Sequence, residues 1–169
     1  MPEIAAKLAE IQQRLAAACF RSAREPESVN LIAVSKTFPA EAVRSALEAG
    51  QMHFGESKLQ EAEEKIPQVP GLVHWHFIGR VQRNKVRKIL QNFEVVHAID
   101  SLKLARSVNE AAKELSLFPK IFLQVNIGDE ISKGGYGRES LYDDMEDLLA
   151  LDRLEILGLM CIPPKGPDP

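Results

Sequence analysis

Cysteine is scarce in this chain: Cys19 and Cys161 are the only two in 169 residues, and neither belongs to a CxxC or similar spacing. That excludes a disulfide framework and a thiolate metal site, and both residues read as buried apolar side chains in a reducing compartment. Surplus positive charge is missing as well. Twenty-one Lys and Arg against 24 Asp and Glu leave a formal net charge of -3, so nothing is left over to neutralise a nucleic-acid backbone, and a small ligand or a protein is the expected partner. Long apolar runs are also absent. Residues 1–15 carry acids and bases throughout, unlike a signal peptide, and no stretch suits a membrane span, which predicts a cytoplasmic protein. Internal repeats are lacking, and the one biased segment is the proline-rich end, PPKGPDP.

What is present is the composition of a globular protein, 45% hydrophobic and 27% charged, enough for one core and an expected single domain over residues 1–169. Ile4, Leu8, Ile11, Leu15 and Cys19 recur at three- and four-residue steps, predicting an N-terminal helix that stops before Pro26. Alternation begins there. Six β-rich runs follow: NLIAVSK (30–36), HFGES (53–57), VHWHFIG (73–79), EVVHAID (94–100), KIFLQVNI (120–127) and LEILGLMCI (154–162). Helical patterns separate them. One opens at Pro39 and closes at Gly50, and a second opens at Ser57 with Gln60 in capping-box position. A basic helix spans about 82–90, and another, capped by Asp100 or Ser101, carries Leu104, Val108, Ala112 and Leu115. The last pairs Ser140 with Asp143 as a capping box and turns Leu141, Met145, Leu148 and Leu149 inward. Strands and helices in this order predict parallel pairing through right-handed crossovers. Both an open sheet and a closed barrel are built from such units. An eight-unit barrel normally takes ~250 residues, so six strands by themselves favour the open sheet.

Lys36 stands at the carboxyl end of the first strand run, where α/β folds place their chemistry. A lysine there is either a solvated loop residue or an amine that, shielded from bulk water, is available to condense with an aldehyde. His74 and His76, two apart in a strand, share a face; with His53 and His97 they suggest a zinc site, against the plainer reading of hydrogen-bonded core or rim histidines. GRVQRNKVRK, 79–88, could draw an anion to a helix N-terminus, but its charges spread around the helix as a solvated face would have them. SKGGYG, 132–137, lacks the order of a P-loop and reads as a lid.

Taken in order and spacing, AVSKTFP, FGESKLQEAEEK, WHFIGRVQRNK, VHAIDS, QVNIGDEISKGG and LEILGLMCIPP closely resemble the pyridoxal-phosphate homeostasis proteins, also called the proline synthase co-transcribed family. The similarity runs from about 30 to 164. It implies α/β architecture of the (β/α)8 TIM-barrel type, like the N-terminal domain of alanine racemase, with about six of eight strands present and an extra N-terminal helix. It also implies pyridoxal 5′-phosphate (PLP) held as a Schiff base on Lys36 of the VSKT motif. His76, Asn126 and Met160 fall on strand segments lining the same mouth, and Lys133 on a loop over it. Ser57 stands where the family's FGEN motif has asparagine, which changes any contact made by that side chain.

Family members continue beyond GLMxIPP with two further strands that supply the phosphate cup and an arginine near the pyridine nitrogen. The chain is therefore expected to be incomplete at its C-terminus, a monomer if complete, and open to association through uncovered strand edges. The resemblance implies carriage or homeostasis of PLP without turnover, with apo PLP-dependent enzymes as candidate recipients and no nucleic acid or membrane as partner. The chain's tyrosines, Tyr136 and Tyr142, both lie near the loop after the fifth strand. The alternatives are a PLP-dependent amino-acid racemase or decarboxylase, and a metal-dependent hydrolase using His74 and His76.

Overall fold

The structure, a computed structural model, describes residues 2–128 and 134–163. It falls into two compact units, Met1–Trp75 and His76–Pro169. Lys133 lies outside the described residues.

In the first unit, helix α1 spans Pro2–Arg21. Its inward stripe is narrower than the periodicity predicts: Leu8 and Cys19 are buried, Ile4 and Leu15 half-buried, and Ile11 is 45% exposed. Strand β1, Ala33–Val34, lies parallel to β2, His53–Glu56, with Ala33 opposite Phe54 and Val34 opposite Gly55. β1 is much shorter than its β-rich run and is not buried. The carbonyl of Leu31 instead accepts from the Gln51 side chain at 2.7 Å, which also donates to His53 O at 2.7 Å. One amide side chain thus satisfies backbone that a longer ladder would have paired. Helix α2, Ala40–Glu48, makes the crossover and buries Ala40 and Val43. Gly50 follows it with φ +93°, the left-handed conformation that suits glycine beyond a helix end. Helix α3, Leu59–Lys65, begins two residues later than predicted; Lys58 is its N-cap and no side chain caps it, so the Ser57–Gln60 box does not form. Its buried face is Leu59, Ala62 and Lys65. The start of β3, His74–Phe77, joins β2 through His74 N–H donating to Met52 O at 2.9 Å.

In the second unit the strand order is β3-β4-β5-β6, all parallel. β4 is Val95–Ile99, β5 Lys120–Gln124 and β6 Glu155–Met160. Every residue of β4 is buried, as expected for a central parallel strand covered on both faces. Arg83–Lys85 form a 3-10 turn and α4 follows as Val86–Asn92, so the basic segment is mostly turn and the helix proper carries Val86, Ile89 and Leu90 inward. Helix α5, Leu102–Leu115, is capped as predicted: Ser101 Oγ accepts from Leu104 N–H. Its buried Asn109 accepts from Arg153 N–H at 3.0 Å, tying α5 to the turn before β6. Helices α6, Arg138–Asp143, and α7, Met145–Leu149, cover the last crossover. Gly137 is the N-cap of α6, which places Ser140 inside the first turn, where its hydroxyl bonds Gly137 O at 3.1 Å and cannot act as a capping box. Cys161 is exposed, because β6 ends at Met160; the expected burial holds for Cys19 alone.

Ile121 is fully buried in β5, in register with Val96 on one side and Ile156 on the other. Ile121→Ala is expected to lower stability by about 2–5 kcal/mol, read as a lower urea midpoint. Phe20→Ala, at a residue 87% exposed, is expected to move it by less than about 0.5 kcal/mol.

Candidate functional site

In the first unit the carboxyl ends of β1 and β2 lead directly into Ser35-Lys36-Thr37 and Ser57. Ser35 N–H continues the ladder to Gly55 O at 3.0 Å, and Phe38 N–H closes the turn onto Ser35 O at 3.1 Å. Between these bonds Thr37 has φ +68°, left-handed backbone that a β-branched residue adopts only when its surroundings impose it. Such a conformation costs about 1–3 kcal/mol.

The surroundings that impose it are charged. Lys65 is 5% exposed and Glu56 fully buried, and their side chains meet at 2.6 Å. The Lys65 ammonium also donates to Ser35 O at 2.8 Å and to Glu61 Oε1 at 3.0 Å. All three of its protons are therefore used. Ser35 Oγ donates to Glu56 Oε1 at 2.7 Å, and Thr37 N–H donates to Glu61 Oε1 at 2.5 Å. The Lys65 ammonium, and after it the Thr37 N–H, hold the Glu61 carboxyl below the usual carboxylate range against the opposing effect of partial burial.

Lys36 itself is exposed, which corrects the expectation of an amine shielded from water. Among the described residues it makes no side-chain hydrogen bond or ion pair. Two carboxylates lie in the network around its turn, yet both are engaged by Lys65. The Lys36 amine is left uncommitted. Ser57 is half-buried in the bend after β2.

In the second unit His76 Nδ1 and His97 Nε2 are 2.9 Å apart and both rings are buried. One ring must donate and the other accept, so the two cannot both be fully protonated. Burial pushes the His97 imidazole below its ordinary value, and its ring stacks on Phe122 with centroids 4.7 Å apart. Asn126 and Met160 meet at the ends of β5 and β6: Gln124 is in register with Met160, and Val125 N–H donates to Met160 O at 2.8 Å. The glycine loop returns onto the same place, with Asn126 N–H donating to Tyr136 O and Tyr136 N–H to Gln124 O. Gly135, φ +131°, makes this approach possible, since a Cβ there would lie 3.0 Å from Asn126 N and Val125 C. Tyr136 is buried, and that burial, with the Asp144 and Asp100 carboxylates beside it, pushes its phenol far up.

His74 stacks on His53 at 4.6 Å. Among the described residues no three His, Cys, Asp or Glu side chains come together in a way that could hold a metal ion. His74 and His76 belong to no such group among the described residues. Sequence reasoning singled out Lys36 and missed the Lys65–Glu56–Glu61 cluster behind it. The signal was present in α3, where Lys65 lies three residues beyond Ala62 on the inward face.

Because the folded-state pKa of Glu61 is depressed, its contribution to stability is present above its unfolded pKa and disappears as pH falls through the folded value. Glu61→Gln is expected to cost about 1 kcal/mol at neutral pH. Urea titrations of the wild type and the variant are expected to converge once the pH falls well below about 4.

The alanine racemase N-terminal domain family matches residues 7–169. The pyridoxal phosphate homeostasis protein of Escherichia coli strain K12 is 40% identical over 168 residues, spanning 96% of this chain and 71% of that protein. The protein of the same name from Synechocystis is 41% identical over 146 residues, spanning 85% of this chain and 67% of that one. PipY of Synechococcus elongatus PCC7942, solved without PLP, superposes with a TM-score of 0.81 at 41% identity, covering 92% of this chain and 72% of PipY. PipY with PLP bound gives 0.78. Alanine racemase of Clostridium difficile, 17% identical with a TM-score of 0.67 over 88% of this chain and 39% of that one, shares the fold. The six parallel strands and their helices are thus the alanine racemase N-terminal-like α/β fold that the resemblance implied, in place of the open sheet favoured by strand count. The chain belongs to the alanine racemase N-terminal domain family and, within it, to the pyridoxal phosphate homeostasis proteins.

Proposed function

We propose that this chain binds PLP and acts in its carriage or homeostasis, with Lys36 as the covalent attachment point. The observation that carries the reading is the uncommitted amine of Lys36 at the carboxyl end of β1. The donor chemistry fits the group. PLP would supply an aldehyde for condensation with a primary amine, releasing water. A lysine locked in an ion pair would resist that condensation, and Lys36 is not so locked.

The same reading keeps Ser57, His76, Asn126 and Met160 as cofactor-binding residues and treats residues 1–169 as a single PLP-binding domain. Two homologues named for PLP homeostasis and a PipY structure with PLP bound support it. Apo PLP-dependent enzymes are the recipients this role calls for, and the cytoplasm is where they would be met. Among the described residues no helix is long and apolar enough to cross a membrane.

We place the chain outside catalysis because the residues needed for proton transfer are poorly suited to it. Tyr136 is buried, and burial pushes its phenol far up, away from a base poised near working pH. Tyr142 is 68% exposed. The racemase-like fold of its neighbours favours a second reading, a PLP enzyme acting on amino acids.

Mixing the protein with PLP is expected to give a new visible absorption band, and borohydride reduction followed by peptide mapping is expected to place the modification on Lys36. Lys36→Ala is expected to abolish both signals. Equal labelling of wild type and variant would overturn the assignment. Racemisation or decarboxylation of any amino acid that disappears in Lys36→Ala would replace the carrier reading with the enzymatic one.

A further inference from the structure

Lys36 is held by its flanks. On one side Ser35 is fixed three times: its N–H on Gly55 O, its carbonyl on the Lys65 ammonium at 2.8 Å, and its hydroxyl on Glu56 at 2.7 Å. On the other side Thr37 is fixed in left-handed backbone by its N–H on Glu61 at 2.5 Å. Both anchors lead to one buried ammonium. Glu56 keeps its second oxygen, Oε2, buried and without a hydrogen-bond partner. Its negative charge is met by Lys65 at 2.6 Å.

A buried ion pair adds little net stability compared with apolar packing of the same volume. Its clear consequence here is geometric: it fixes a strained turn. That bears on how readily Lys36 reacts. A turn free to relax would spread the side chain over many positions.

We propose that Lys65 and Glu61 are positioning residues for Lys36, acting through Ser35 O and Thr37 N–H to present an unpaired amine at the end of β1. This rests on the reading of Lys36 as the attachment point for PLP. It adds two residues, on α3, that need touch no part of the cofactor. Glu61 sets the turn and Lys65 sets Glu61. Thr37 is the joint, since its left-handed backbone is the part that costs free energy and the part that Glu61 holds.

The proposal separates from a merely structural role because the coupling runs through one backbone conformation. Glycine takes left-handed φ without steric cost, so Thr37→Gly removes the conformational demand that Glu61 meets. Full-length wild type, Glu61→Gln, Thr37→Gly, the double variant and Lys65→Met are compared by two readouts. One is the PLP concentration giving half of the borohydride-fixed label on Lys36. The other, independent of PLP, is the rate of competitive acetylation of Lys36 relative to exposed Lys103, mapped by mass spectrometry.

Glu61→Gln is expected to weaken PLP labelling by about tenfold and to slow relative acetylation of Lys36. In the Thr37→Gly background the same change is expected to cost less than about threefold. Lys65→Met is expected to slow Lys36 acetylation further, as Ser35 O loses its anchor and Glu61 the cation that holds it. Should Lys65→Met fail to fold, the Glu61 and Thr37 cycle decides alone, because Glu61 is partly exposed and its substitution leaves no buried charge unpaired at the surface side. Independent, multiplicative effects of Glu61→Gln and Thr37→Gly, or unchanged acetylation in Glu61→Gln, would overturn the proposal. Failure of the attachment reading looks different: PLP then labels another residue in wild type, while the acetylation cycle still reports on the clamp.

Discussion

Parallel pairing is the constraint from which the rest follows. A parallel ladder cannot be closed by a tight turn, so every strand must be followed by a crossover, here a helix of five to fourteen residues. Within each unit the strands therefore finish at a common end, and the residues at or just past their last positions share that end. In the first unit these are Lys36 and Ser57; in the second they are Asp100, Asn126 and Met160. Chemistry placed within two residues of a parallel strand's end inherits the rigidity of the ladder behind it. β1 contributes only two paired residues, so Lys36 inherits less than the others and depends more on side-chain bonds.

Those bonds act on the turn that carries Lys36. Lys65 takes the charge of Glu56 and Glu61 inside the protein, where the interaction is least screened by salt. Its ammonium reaches Ser35 O directly and Thr37 N–H through Glu61, the two flanks of Lys36. The arrangement also gives Ser35, an otherwise ordinary strand-end serine, three fixed hydrogen bonds.

Order and type of the elements were legible in the sequence because they rest on local periodicity and on breakers. All six strands fall inside their β-rich runs, and Ser101 caps α5 as the pattern indicated. Extents were less legible. The β-rich run before Lys36 shrinks to Ala33–Val34 because Gln51, from a distant loop, takes the Leu31 carbonyl, and no local signal announces that. Both predicted capping boxes failed for one reason: the helix began elsewhere, at Leu59 and Arg138, so the serines were out of register. Burial misled at Ile11, Cys161 and Lys36, where apolarity or position suggested shielding that the packing does not provide. Lys65 was the opposite case. At the end of the acidic run EAEEK it reads as a solvated partner for its neighbours, and only its phase on the helix hints that it points inward.

The contrast between carriage and catalysis turns on proton transfer. A covalent amine suffices to hold and release an aldehyde, whereas changing a substrate carbon needs a second group that exchanges protons near neutral pH. In the second unit the groups best placed by chemistry are restrained. Burial pushes the His97 imidazole below its ordinary value, and its Nε2 shares one hydrogen bond with His76 Nδ1, so the two facing nitrogens cannot both carry a proton. Tyr136 is fixed through its backbone to both Gln124 and Asn126, with nearby carboxylates opposing its ionisation. In the second unit, then, burial and shared hydrogen bonds restrain the groups whose chemistry is proton transfer.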